Sequence, residues 1–195
     1  MKKIITITLL IILSTFSYSL VIESKAGIAP WNSYNLDGTN YTGTFSVRLE
    51  GTMWFEIQDK TELGFGAAFR PLGVVNRDLS QSSNGTMDLM TSYPIFISAK
   101  YTFPKEIAGI TLSGRTNLGF SINDVGSYPY LYKTTIGIYS GFGLSGEKDN
   151  LSMEILYELT QSNAYFVTEN TNFPDDNIHI TNYLISLNVG YKLEF

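Results

Sequence analysis

Charged residues are sparse in this 195-residue chain, yet ten of them share one pattern: Arg48, Glu50, Glu56, Glu62, Arg70, Lys100, Arg115, Glu154, Glu158 and Lys192. Each is flanked by mostly apolar or small neighbours, so all ten fall on the polar face of a two-residue repeat. Charges of both signs on one face have two uses. They can line a path for ions, or neutralise one another as enclosed ion pairs, because a lone buried charge is too costly.

Other groupings offer less. Gly141-Phe-Gly-Leu-Ser-Gly146 spells a dinucleotide fingerprint, but the motif needs a helix starting within it, and Glu147-Lys-Asp-Asn150 is a turn before alternation resumes at Leu151. Read as strand, Gly137, Gly141 and Gly143 share a face with Tyr139, small residues beside one large one. The single histidine, His179, could serve as a general base, but no serine stands at a spacing that makes it a nucleophile's partner. Phe173-Pro-Asp-Asp-Asn177 has adjacent carboxylates without the spacing or glycine of a calcium loop. No catalytic residue, metal site or cofactor is expected.

Two-faced strands must position the ten charges. In Phe45 to Ile57, Phe45, Val47, Leu49, Gly51, Met53, Phe55 and Ile57 oppose Ser46, Arg48, Glu50, Thr52, Trp54 and Glu56. Ile110 to Ile122 and Tyr183 to Phe195 separate the same way. The template predicts eight strands, at 20–31, 43–57, 61–72, 90–103, 109–122, 131–146, 150–161 and 180–195. Connections alternate between short turns, such as Gln58-Asp59-Lys60 and Glu147–Asp149, and intervals mostly longer and rich in Asn, Ser, Asp and Gly, at 32–42, 73–89, 123–130 and 162–179. Strands this long, with short turns at one end and long loops at the other, suit a barrel that crosses a bilayer, the short turns being periplasmic.

The composition decides which face meets lipid. A soluble eight-stranded barrel would point the apolar set inward, and so narrow a lumen has no room for aromatics and Leu from every strand. Inverted, the apolar set meets lipid and the mixed charges pair inside. A one-residue slip would put Arg48 into hydrocarbon, so the register is well specified. Tyr101, Phe103, Tyr191 and Phe195 then fall on the lipid face near strand ends, as interfacial aromatics do. A net charge of −5 offers no basic face for nucleic acid. Without cysteine there is no disulfide, thiolate or lipoprotein anchor. Met-Lys-Lys followed by the apolar run Ile4 to Phe16 and Ser17-Tyr18-Ser19 predicts a cleaved signal peptide over 1–19, with Ala26 as a second cleavage position. The run is too short to span a membrane, and one domain is expected over 20–195.

The last residues, Asn188-Val-Gly-Tyr-Lys-Leu-Glu-Phe195, resemble the terminal signal of bacterial outer-membrane barrels, with Asn188, Gly190, Leu193 and Phe195 at its positions. Together with the signal peptide and eight amphipathic strands, the chain is similar to small barrels of the OmpA-transmembrane and OmpX type. That resemblance implies recognition of the last strand by the barrel-assembly machinery. The fold expected is an all-β, eight-stranded antiparallel transmembrane up-and-down β-barrel in the outer membrane of a Gram-negative-type bacterium. Its partners would be outer-membrane lipid, lipopolysaccharide and an extracellular ligand that the loops do not identify, with the protein a monomer. The function expected is non-enzymatic: a plugged lumen serving envelope integrity or surface interaction. Two alternatives stay open. One is passive transport of small or apolar solutes, as in OmpW-like barrels, through an opening near Pro71 or Pro94. The other is a lipid-modifying enzyme centred on His179.

Overall fold

A computed structural model describes residues 20–36, 38–43, 45–75, 88–125, 131–134, 136–167 and 177–195. The predicted signal peptide, residues 76–87, 126–130 and 168–176 of the expected loops, and most of the Phe173–Asn177 segment lie outside the described residues. The described strands are β1 (Leu20–Leu36), β2 (Thr39–Thr42), β3 (Ser46–Gln58), β4 (Thr61–Val75), β5 (Asp88–Thr102), β6 (Thr111–Val125), β7 (Leu131–Thr134), β8 (Gly137–Lys148), β9 (Leu151–Val167) and β10 (Asn177–Glu194).

They make eight staves. β2 and β3 both run antiparallel to β1 and together form the second stave, and β7 and β8 do the same along β9. Each stave pairs with the next in sequence, and β10 pairs with β1 from Val21↔Glu194 to Leu36↔Ile180, closing the cylinder. Closure leaves no unpaired edge, the condition for a sheet in lipid. Non-glycine residues with positive φ sit in all three short connections: Lys60, Ala108 and Asp149.

The strands run farther than the hydrophobic alternation predicts, chiefly at the end away from the short turns. The expected loop at 32–42 is mostly strand, since β1 continues to Leu36 and turns through Gly38 into β2. β4, β6, β9 and β10 likewise extend into the intervals at 73–89, 123–130 and 162–179. Alternation marks only the part of a strand with lipid on one side. Beyond it neither face has to be apolar, and the pattern disappears while the hydrogen-bond ladder continues.

The packing is that of an inverted globular protein. Most buried side chains are polar or charged, whereas the exposed large side chains form an apolar belt that includes Leu49, Phe65, Ile97, Leu118, Phe142, Met153 and Val189. In water such a surface would be an aggregation hazard; in a bilayer it is the required solvent contact. Leu118, 63% exposed in the middle of β6, tests this. Leu118→Arg should lower stability in lipid vesicles by about 2–4 kcal/mol, measured as a fall in the urea midpoint. An unchanged midpoint would mean that this face does not meet hydrocarbon.

Candidate functional site

Because side chains alternate across each strand, residues two apart on neighbouring staves stack in layers inside the barrel. Nearest the short turns, Lys192 pairs with Glu147, and Lys100 Nζ lies 2.7 Å from Glu62 Oε1 and 3.5 Å from Glu147 Oε1. Trp54 closes much of this level. Its Nε1 donates to Glu23 Oε2 at 2.9 Å, and Lys100 Nζ sits 4.7 Å from its ring centre. Ser152 donates a second bond, 2.6 Å long, to Glu23.

The middle layer is a chain of alternating charge. Lys25 Nζ donates to Glu154 Oε2 at 2.8 Å and lies 3.4 Å from Glu23. Arg115 Nη1 is 3.2 Å from the same Glu154 oxygen and 2.7 Å from Glu50 Oε1, and Glu50 in turn pairs with Arg48. Above it, Arg48 Nε lies 3.2 Å from Glu158 Oε2, the Tyr139 hydroxyl donates to Glu158 Oε1 at 2.6 Å, and Arg70 Nη1 is 3.5 Å from that oxygen. Phe96 and Tyr139 pack together with ring centres 5.4 Å apart, and the Arg70 guanidinium lies over the Tyr139 ring.

Six cations (Lys25, Arg48, Arg70, Lys100, Arg115, Lys192) and six carboxylates (Glu23, Glu50, Glu62, Glu147, Glu154, Glu158) form these pairs. They sum to zero, as an enclosed set must to avoid an uncompensated charge. Close approach across the lumen depends on glycines. A Cβ on Gly66 would stand 2.3 Å from Phe96, and one on Gly64 2.7 Å from Trp54.

Nine of the ten residues expected to carry the network do so. Glu56 does not: it faces water at the rim, opposite Glu62 in the β3–β4 pairing. Its face is as expected, but it lies past Trp54, in a mouth pocket of about 310 Å³ shared with Asp59, Lys60 and Glu194. Three members were missed. Glu23 and Lys25 are buried on β1, where Glu23, Lys25 and Gly27 alternating with Ile22, Ala26 and Ile28 carried the signal. Glu147 stands in the expected turn 147–149, but β8 continues to Lys148. Gly137, Gly141 and Tyr139 are buried on the lumen side, in ordinary strand without a helix start.

The terminal residues divide between the two faces. Asn188 is buried and donates to Glu154 Oε1 at 3.2 Å; a Cβ on Gly190 would meet Ser152 Oγ at 2.4 Å and Lys25 Cγ at 2.8 Å. Leu193 and Phe195 are exposed on the outer face, and the Phe195 N–H donates to the Leu20 carbonyl at 3.0 Å. Tyr101, Phe103 and Tyr191 are also exposed, as the expected girdle requires. His179 lies exposed at the other end of β10, its Nδ1 3.0 Å from Asn163 Oδ1 and its Nε2 3.4 Å from Thr181 Oγ1.

No protein-family model matches the chain, and no curated protein matches it. Solved structures do. The outer membrane protein OprG from Pseudomonas aeruginosa is 14% identical with a TM-score of 0.58, covering 90% of this chain and 96% of OprG. The outer membrane protein AlkL, solved in lipid bilayers, is 12% identical with a TM-score of 0.53, covering 89% and 90%. Ail, the attachment invasion locus protein of Yersinia pestis, is 13% identical with a TM-score of 0.50, covering 89% and 98%. Likeness at this level of identity is a likeness of fold, and it agrees with the closed eight-stave sheet. The chain has the fold of the small eight-stranded outer-membrane β-barrels.

Proposed function

We propose that the protein is a non-conducting monomer of the outer membrane that serves envelope integrity or surface interaction through its extracellular loops. The observation that carries this reading is the filled lumen, crossed by twelve paired charges and by Trp54, Phe96 and Tyr139, all buried. Solutes would have to break several ion pairs at once to pass. In planar bilayers the refolded protein should give no stable unit conductance. Reproducible ohmic channels would overturn the plug and favour transport.

Insertion by the barrel-assembly machinery would use Asn188, Gly190, Leu193 and Phe195. Two of these residues face the lumen and two face lipid, so the last strand would be read as a two-sided edge before β1 covers it. Deleting Phe195 should strip most of the protein from the outer membrane in cells while leaving refolding into micelles intact. Equal loss in both settings would assign Phe195 to barrel stability instead.

One observation favours passive transport as the second reading. The β4–β5 ladder runs to Ala67↔Ile95 and resumes at Arg70↔Ser92, skipping Ala68–Phe69 and Tyr93–Pro94. Pro94 has no N–H to give, so the ladder lacks a hydrogen bond there, and the Phe69 and Tyr93 rings, 5.6 Å apart, cover the gap. Uptake of a small apolar solute into vesicles that falls when a Phe69→Cys/Tyr93→Cys pair is oxidised would support a lateral route.

A further inference from the structure

Arg70 is the least neutralised of the paired lumen cations. Among the described residues its one carboxylate neighbour, Glu158, is 3.5 Å away and already holds Arg48 and the Tyr139 hydroxyl at shorter distances. Arg48 has Glu50 as well. One carboxylate therefore serves two guanidiniums, and Arg70 has the weaker share.

Around Arg70 the lumen changes character. Its Nη2 donates to Ser92 Oγ at 3.2 Å and to Thr160 Oγ1 at 3.0 Å, which joins β4 to β5 and β9. Ser92 Oγ is 2.5 Å from Ser121 Oγ, and Ser121 donates to Asn123 Oδ1 at 2.9 Å. Ser162 stands on the lumen face of β9, one inward position above Thr160, and Asn182 is paired with Thr160 across β9 and β10. None of these seven side chains is more than 5% exposed. Arg70 Nε and Nη1, Asn123 Nδ2 and Ser162 Oγ make no hydrogen bond, and Asn182 Oδ1 is an open acceptor.

Buried donors without acceptors are costly, and here they surround an under-neutralised guanidinium. A cation with hydroxyl and amide donors on several sides is the complement of a small oxyanion, which forms its strongest hydrogen bonds with charged donors. We infer that Arg70, Asn123 and Ser162, whose donors are open, form a binding site for a small oxyanion of the carboxylate or phosphate class, with Ser92 and Ser121 linking Arg70 to Asn123. Glu158, Tyr139 and the ion pairs beneath close the periplasmic approach. Asn182 Oδ1 would accept from the P–OH of a phosphate monoanion, so phosphate should bind more tightly than formate.

The test uses protein refolded into detergent micelles with ¹⁵N in its arginine side chains, titrated with inorganic phosphate and separately with sodium formate at constant ionic strength. There are four arginines. The Arg70 Nε–H resonance is identified by its absence from Arg70→Lys or, if that variant does not fold, by single Lys substitutions at the other three. It should shift and saturate while the others stay still, and the ratio of the two affinities names the ligand class. Ser162→Ala keeps every charge, should still resist SDS until heated, and should weaken binding about tenfold through loss of its open hydroxyl. An Arg70 resonance that fails to saturate with either anion means that water alone satisfies these donors, and overturns the site. Unchanged affinity in Ser162→Ala overturns it as well.

Discussion

Glu158→Gln is expected to cost the barrel about 3–5 kcal/mol, the loss typical when one partner of a buried ion pair is removed. The neutral amide keeps the shape but leaves Arg48 and Arg70 with less opposing charge and weakens the 2.6 Å acceptor of Tyr139. Urea midpoints in lipid vesicles, read from the fraction that still resists SDS unheated, would measure the loss. The two guanidiniums should respond unequally. Arg48 retains Glu50, whereas among the described residues Glu158 alone pairs with Arg70. Adding Arg70→Gln should therefore recover more stability than adding Arg48→Gln. Equal recovery, or a wild-type midpoint for Glu158→Gln alone, would show that the upper layer is not held by this carboxylate.

Gly66→Ala should destabilise by about 1–3 kcal/mol, the cost of forcing extra volume into a packed interior. The added methyl would lie 2.3 Å from Phe96 Cε2 and 2.8 Å from Thr52 Oγ1. The Phe96 ring cannot yield freely. It packs on Tyr139, and the Arg115 guanidinium lies 5.5 Å from its centre. Displacing the ring thus disturbs the middle and upper charge layers together. Phe96→Leu frees the space, so Gly66→Ala should cost much less in that background. Strictly additive losses across the four proteins would refute the clash, because coupling is expected only between residues in contact.

Much of this architecture is legible in the sequence because a barrel in lipid writes its faces residue by residue. Arg48, Glu50, Thr52 and Trp54 alternate with Val47, Leu49, Gly51 and Met53, and a polar lumen against an apolar bilayer enforces that separation at each position. Inside and outside, the stave count, the location of the short turns and nine of the ten lumen charges follow from this one rule.

Depth and partnership do not follow from it. Glu56 carries the same alternation as Glu50, but it stands past Trp54 at the end of β3, beside the short turn, where the lumen opens to water. The strand extensions through Leu36 and Val167 escaped the pattern because, above the lipid, neither face must be apolar. Pairings such as Lys25 with Glu154 and Arg48 with Glu158, 129 and 110 residues apart, are set by which strands closure brings face to face across the lumen. The sequence by itself determined which side chains are enclosed, because solvent contrast acts locally. Which of them meet, and which are left short of a partner as Arg70 is, only the closed barrel decided, because that depends on the relative stagger of all eight staves.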